Sequence, residues 1–289
     1  ALPPVSPAEE YTLKVDVDLA LFNVSVLDRS GRRVPGLTSA NFKVFEEGQE
    51  QEINFFRAED TPATVGLIID NSGSMIPKRA EVIEAGIAFA RASNPSDEVF
   101  IVNFNDDVTL GLPASMPFTS DFGQLQKSLR TIGATGRTAM YDALVKGLDH
   151  LSLGRQQRKA LILLSDGGDN ASKATLDGVI HELQHSNAVV YAVGIYDSDD
   201  SYKNPGVLKR IAKETGGEAF FPHSPLELTV VWEKIARGIR SQYTIGFTSR
   251  SALKEGAYRR VQIRAADASG RQLRVRTRDG YRTPDTPAQ

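Results

Sequence analysis

The sequence predicts an α/β protein: a doubly wound, mostly parallel sheet with helices on both faces, Rossmann-like in layout, inserted in a β-sandwich formed by the N- and C-terminal strands. Three observations carry this expectation. Residues 65–69 and 160–164 are short apolar runs without polar interruption, the pattern of strands buried on both faces of a parallel sheet. After Pro62 such runs alternate with helix-period segments, as strand-helix-strand crossovers do. At both chain ends apolar and polar residues alternate instead, and neither end supplies enough strands for a two-layer core alone.

The chain has 289 residues, 40% of them hydrophobic, enough for one large or two ordinary domains. A net charge of −2 argues against bulk nucleic-acid binding. No apolar stretch approaches the ~18 residues of a membrane-spanning helix. The absence of cysteine excludes disulfides and cysteine-rich zinc sites without fixing the compartment. The lead Ala1-Leu2-Pro3-Pro4-Val5-Ser6-Pro7 has neither a basic n-region nor an apolar h-region, so a signal peptide either was removed or never existed. Residues 1–10 are expected to form a flexible lead.

Leu13, Val15, Val17 and Leu19 alternate with polar residues, and the apolar phase then moves to Phe22, Val24 and Val26, which indicates a bulge or a break between two strands. Asp28-Arg29-Ser30-Gly31 makes a turn. A hairpin follows, with Phe42 and Val44 on one arm, Glu47-Gly48 near the turn, and Ile53 and Phe55 on the other. Beyond Glu59-Asp60-Thr61-Pro62 comes the strand at 65–69. Pro77 opens a helix running to about Ser93, with Val82, Gly86 and Phe89 on one face.

The next strand, 99–104, pairs with 108–112 as a hairpin, and helices follow at about 121–131 and 139–153. Strands are predicted at 160–164 and 189–193, with a short edge at 219–221 and a last long helix at about 226–240. From Tyr243 the alternation returns, through Tyr243, Ile245 and Phe247, then Val261 and Ile263, a turn at 267–270, then Leu273 and Val275. Residues 1–60 carry 6 Lys/Arg against 11 Asp/Glu, whereas residues 243–289 carry 10 against 4. Opposite charge favours pairing of the two ends weakly, since exposed ion pairs are worth about 0–1 kcal/mol each. The expected division is residues 11–60 with 243–283 as the β-sandwich and 61–242 as the α/β domain.

The strand at 65–69 ends in Asp70-Asn71-Ser72-Gly73-Ser74, which places a carboxylate and two hydroxyls at a carboxyl edge, where open α/β sheets bind ligands. Small oxygen donors on a tight turn suit Mg²⁺, Mn²⁺ or Ca²⁺ and suit Zn²⁺ poorly. The pattern equally suits a serine-rich turn capping the next helix. Two further loops enlarge the set. The strand at 160–164 ends in Ser165-Asp166-Gly167-Gly168-Asp169, and a glycine-rich loop, Gly133-Ala134-Thr135-Gly136-Arg137-Thr138, enters the helix of Tyr141-Asp142-Ala143-Leu144.

With these three motifs in this order, the chain resembles a von Willebrand factor A-type (VWA) domain over about residues 62–241. The β ends, with Val24-Ser25-Val26, Val34-Pro35-Gly36-Leu37 and Asn41-Phe42-Lys43-Val44-Phe45-Glu46, most resemble the secreted bacterial "VWFA-related" group. The resemblance implies a metal-ion-dependent adhesion site. Ser72, Ser74 and Thr138 would reach a divalent ion, Mg²⁺ or else Mn²⁺ or Ca²⁺, through hydroxyls, and Asp70 and Asp166 would coordinate it directly or through water. Thr138 is chosen over Thr135 because Tyr141-Asp142-Ala143-Leu144 follows it at the family's distance, although Arg137 stands where glycine is more usual.

The implied function is adhesion or protein-protein interaction, in which a partner's Asp or Glu carboxylate completes the metal shell, in a secreted, periplasmic or cell-surface protein. The chain is expected not to be an enzyme, because no His, Lys or third carboxylate in these loops is an obvious general base. Asp169 is the one residue left for that role, and it reads equally well as a solvated loop residue. The alternatives are a metal-dependent hydrolase using the same ion, and a structural module with a vestigial site. In related domains bound ligand is coupled to displacement of the final helix. Here that helix runs almost directly into the strand at Tyr243, so binding would reorient the two domains.

Three other signals are set aside. His181-Glu182-Leu183-Gln184-His185 matches the zinc-protease pattern. However, both histidines fall about 150–170° from the centre of the face made by Leu176, Val179, Ile180 and Leu183 and would point to solvent, and His150 and His223 have no placement as a third ligand. Arg260, Arg264, Arg274, Arg276 and Arg278 read as a solvated sheet face partly paired with N-terminal acids. Asn23-Val24-Ser25 and Asn170-Ala171-Ser172 are glycosylation sequons only in a eukaryotic source.

Overall fold

A computed structural model describes residues 19–58, 61–92, 94–131, 133–196, 203–249 and 256–283. The predicted lead, the alternation at Leu13, Val15 and Val17, and Glu59-Asp60 lie outside these residues. The N-terminal part gives β1 (Leu19–Leu27), β2 (Phe42–Glu46), β3 (Gln49–Gln51) and β4 (Phe55–Arg57). The middle alternates as β5 (Ala63–Asp70), α1 (Arg79–Ala92), β6 (Glu98–Phe104), β7 (Val108–Leu110), α2 (Phe122–Thr131), α3 (Met140–Ser152), β8 (Arg158–Ser165), α4 (Leu176–His185), β9 (Val189–Gly194), α5 (Pro205–Glu214), β10 (Ala219–Phe220) and α6 (Pro225–Arg240). The chain then returns to strands, β11 (Tyr243–Thr248), β12 (Tyr258–Ala266), β13 (Gln272–Arg276) and β14 (Gly280–Arg282).

The middle strands form a six-stranded sheet in the order β10-β9-β8-β5-β6-β7, parallel except for the β6-β7 hairpin. Every residue of β5 is buried, because its alternate side chains feed two separate cores. Val65, Leu67 and Ile69 pack with Val82 and Phe89 of α1, Leu125 of α2 and Trp232 of α6. Ile68 packs on the other face with Met140 and Leu144 of α3, Val179 of α4 and Leu208 of α5. Gly66 has no alternative in this arrangement, since a Cβ there would overlap Phe100 and come within 2.7 Å of Leu161. The chain leaves β5 toward β6 on one side and returns to β8 on the other. A crevice therefore opens above the β5-β8 pair at the carboxyl edge.

Strands from both chain ends pair in one antiparallel sheet, in the order β3-β2-β12-β13-β1-β11-β4 with β14 beside β12. This differs from the two facing sheets of the expected sandwich. The cause lies in β1, whose residues 19–24 pair with β11 while Ser25–Leu27 pair with β13. The ladder is therefore continuous and curls as a half-barrel around Phe22, Val44, Ile245, Phe247, Ile263 and Tyr281. The expected hairpin is also divided. Glu47 and Gly48, with φ of 47° and 82°, make a two-residue turn that pairs β2 with β3 only, and Phe55 leaves to pair with Gly246 of β11.

Helix α5 had no counterpart in the sequence reading, although Asn204 caps its N-terminus and Pro205 occupies the first turn. Nor had β14. Helix α1 begins at Arg79 rather than Pro77, because a 3₁₀ turn at Gly73–Met75 precedes it. The arginine face is corrected as well. Arg276 pairs with Glu218 of the α/β part rather than with an N-terminal acid, and Arg278 is buried against the Phe22 ring, donating to the carbonyls of Ser186 and Leu21. Burial pushes the Arg278 guanidinium down to about 10. Of the helix α4 histidines, His181 is exposed, but His185 is half-buried with Nδ1 3.1 Å from the His181 carbonyl oxygen.

Candidate metal centre

Three loops meet above the β5-β8 crevice. The first leaves β5 at Asp70, whose carboxylate accepts the Ser72 amide at 2.9 Å and curls the backbone into the 3₁₀ turn. The Ser72 and Ser74 hydroxyls then lie 3.1 Å apart. The third loop leaves β8 at Ser165-Asp166. Asp166 Oδ2 accepts from Ser74 Oγ at 2.6 Å, and its Oδ1 accepts the Gly168 amide at 3.0 Å. The second loop is pinned to the first by Gly73 N–H to Gly136 O and Thr135 N–H to Asn71 O.

Thr138 is held by the third loop. Its amide donates to Asn170 Oδ1 at 2.9 Å, and its carbonyl accepts the amides of Asn170 and Ala171. The structure thus brings Ser72, Ser74, Thr138 and Asp166 onto one cleft of about 580 Å³, with Asp70 immediately beneath. Thr135 is exposed and does not line it.

Sequence alone assigns no positioning role to several residues that hold the site, Asp169 included, which it reads as a candidate base or a solvated loop residue. Ser165 donates to Asp70 Oδ2 at 2.6 Å. Asp169 accepts the Tyr141 amide and the Ser172 hydroxyl, so its carboxylate is spent in joining the third loop to α3. Asn71 donates to Asn103, a polar residue near the carboxyl end of β6, and accepts from Arg79. The one signal available in the sequence was Asn103 itself, since an amide inside a doubly buried strand needs a partner.

Among the described residues, the two buried carboxylates are not paired with a cation. Asp70 is 2% exposed and Asp166 1% exposed, and neither forms an ion pair among the described residues. Burial pushes the Asp70 carboxyl up to about 6, against the bonds from Ser165 and Ser72, with the Asp166 charge adding to the rise. The donors are all oxygens, three hydroxyls and two carboxylates. No group of three or more His, Asp or Glu that could hold a metal occurs among the described residues. Any metal here must therefore be one that accepts hydroxyl ligands, which fits a hard divalent cation.

The family profile described as "von Willebrand factor type A domain" matches residues 65–168, from β5 through the third loop. The chain carries a von Willebrand factor type A domain. Solved structures share its fold. A von Willebrand factor type A protein from Catenulispora acidiphila matches with a TM-score of 0.55 at 16% identity, covering 94% of this chain and 74% of that one. The von Willebrand factor domain of the type V pili tip protein Mfa5 from Porphyromonas gingivalis matches at 0.52 and 15%, covering 63% and 96%. Proximal thread matrix protein 1 from the mussel byssus, with a zinc-occupied MIDAS motif, matches at 0.52 and 16%, covering 67% and 49%. No curated protein matches the sequence. In this von Willebrand factor type A domain the profile match ends at Gly168, within the loop that carries Asp166.

Proposed function

We propose that this chain is a metal-ion-dependent adhesion or protein-interaction module, in which a divalent cation at the sheet edge binds a partner's Asp or Glu carboxylate. The observation that carries the reading is the pair of buried carboxylates, Asp70 and Asp166, facing hydroxyls without an ion-pair partner among the described residues. Ser72, Ser74 and Thr138 would hold Mg²⁺, Mn²⁺ or Ca²⁺ through their hydroxyls, with Asp70 and Asp166 ligating directly or through water. Neutral hydroxyl ligands leave such an ion enough positive charge to accept an outside carboxylate. No histidine lines the cleft, and the Asp169 carboxylate is engaged within its loop, which favours binding over hydrolysis.

The likeness to a pilus tip domain and to a zinc-occupied MIDAS in other proteins supports an extracytoplasmic, metal-dependent role, and membership of the secreted bacterial group is part of the same proposal. No helix among the described residues is long and apolar enough to cross a membrane. We read residues 61–242 as the interaction domain, set between two segments that share the antiparallel sheet. Calorimetric titration of Mg²⁺, Mn²⁺ and Ca²⁺ into chelator-treated protein tests the reading. One saturable site, lost in Asp166→Ala, is expected; heat signals that are flat for all three ions, or unchanged by the substitution, would overturn it.

A further inference from the structure

The rim of the metal cleft carries two cations that the hydroxyl-carboxylate constellation does not use, Arg137 from the second loop and Lys203 from the segment before α5. Arg137 stands where the family pattern more usually has glycine, and its surroundings show that the replacement is built in. Its Nε donates to Asp106 Oδ1 at 2.8 Å and its amide donates to Asp106 Oδ2 at 3.1 Å. Asp106 is held below its ordinary range by these bonds, and so stays ionised. It fits against Gly136, φ +81°, where any Cβ would overlap the Asp106 carboxylate. Gly136 O in turn accepts the amide of Gly73, between Ser72 and Ser74. The guanidinium is therefore tethered to the loop that carries the serines.

No described hydrogen bond engages Nη1 or Nη2 of Arg137, and its side chain is 65% exposed. A planar guanidinium fixed through Nε presents the remaining edge as a ready fork for a carboxylate, with little rotamer entropy left to lose. Of the acids around the cleft, Asp169 is turned into its own loop. A divalent ion would offset Asp70 and Asp166, and Asp106 and Asp169 balance the charges of Arg137 and Lys203, so what the rim offers an anion is the unbonded Nη edge of Arg137 rather than a net positive charge.

We propose, building on the metal-dependent reading above, that Arg137 with Lys203 forms a second anion-binding point beside the ion, so that the partner is an acidic peptide segment with at least two neighbouring carboxylates. One carboxylate completes the metal shell and another pairs with Arg137. In an extended segment, residues two apart lie on one face, about 6–7 Å from each other, so Asp-x-Asp or Glu-x-Glu is the shortest spacing that presents two carboxylates to one surface.

The test uses fluorescein-labelled peptides of equal length, one with a single Asp flanked by Gly and Ser and one with Asp-Gly-Asp, read by anisotropy in Mg²⁺. Wild type should bind the two-acid peptide about fivefold more tightly, the upper end of what an exposed charge pair supplies. Arg137→Gln should reduce that gain to less than about twofold, Arg137→Lys should keep part of it, and Lys203→Gln should lower it further. Calorimetric Mg²⁺ affinity should be unchanged in Arg137→Gln, which also shows that the variant is folded. Equal affinity for both peptides in wild type, or a preference that survives in Arg137→Gln, overturns this inference while leaving the metal-dependent reading standing. Failure of both peptides to bind in Mg²⁺ overturns the two together.

Discussion

Ser165 Oγ lies 2.6 Å from Asp70 Oδ2, joining the last residues of two neighbouring parallel strands directly beneath the candidate cleft. The bond matters because Asp70 is buried without a cation and already holds its proton up to about pH 6. Each hydrogen bond to the carboxylate favours the charged form that a metal requires.

In metal-free protein the folded state binds the Asp70 proton more tightly than the unfolded state, whose pKa is near 3.8. The contribution of this group to stability is therefore full below about pH 3.8 and is lost as pH rises through about 6. The loss is at most about 3 kcal/mol. Urea melts at pH 4.5 and 7.5 should show it in wild type and not in Asp70→Asn. Mg²⁺ affinity should rise with pH across the same window, and Ser165→Ala should move that rise to higher pH. A pH-independent affinity between pH 5 and 8 would contradict the prediction.

Thr138 and Thr135 are three residues apart in one loop, yet only Thr138 lines the cleft. Thr138→Ala is expected to weaken Mg²⁺ binding about tenfold or more, the loss of one ligand or of about 1.4 kcal/mol. Thr135→Ala should leave it within about twofold, because the Thr135 contact to Asn71 is made by the backbone amide. Equal losses in the two variants would count against Thr138 as a ligand.

Arg158, at the start of β8, is buried and donates to the carbonyls of Ile239, Arg240 and Gln242, where α6 ends and β11 begins. The first two are carbonyls that a helix C-terminus leaves without intrahelical partners, and a cation is favourable there. Arg158→Met should destabilise the protein by about 2–4 kcal/mol, through carbonyls left buried and unpaired. It should also open the 240–243 joint to limited proteolysis. If the final helix shifts when a partner binds, these are the bonds that must rearrange, so the variant should respond to peptide more readily than wild type in small-angle scattering. Melting at the wild-type urea concentration would rule out the clamp.

Two of the three loop motifs were legible because an apolar run ends in polar residues, and a doubly buried strand leaves its carboxyl end as the place where such residues can meet solvent; the second was legible as a glycine-rich loop entering a helix. The residues that hold the ligands in place were less legible. Asn170 and Asp169 act on Thr138 and Tyr141 across 28 to 32 positions of sequence, and no local pattern marks them. Helix α5 went unread even with an Asn cap and a proline in its first turn.

Local periodicity by itself determined the parallel sheet and the two helical layers, since burial on two faces and a loop at a strand end are written in consecutive residues, whereas the five residues of the candidate centre came from the resemblance of three loop motifs to a known family. Tertiary structure alone decided the rest. Pairing of β1 with β11 and then β13 turned the expected sandwich into one curled sheet. Packing placed Arg278 inside rather than on a solvated face, and set Arg137 against Asp106 at the rim. Those outcomes depend on which surfaces meet, and contacts between residues up to 257 positions apart, as between Arg278 and Leu21, leave no trace in the order of neighbouring side chains.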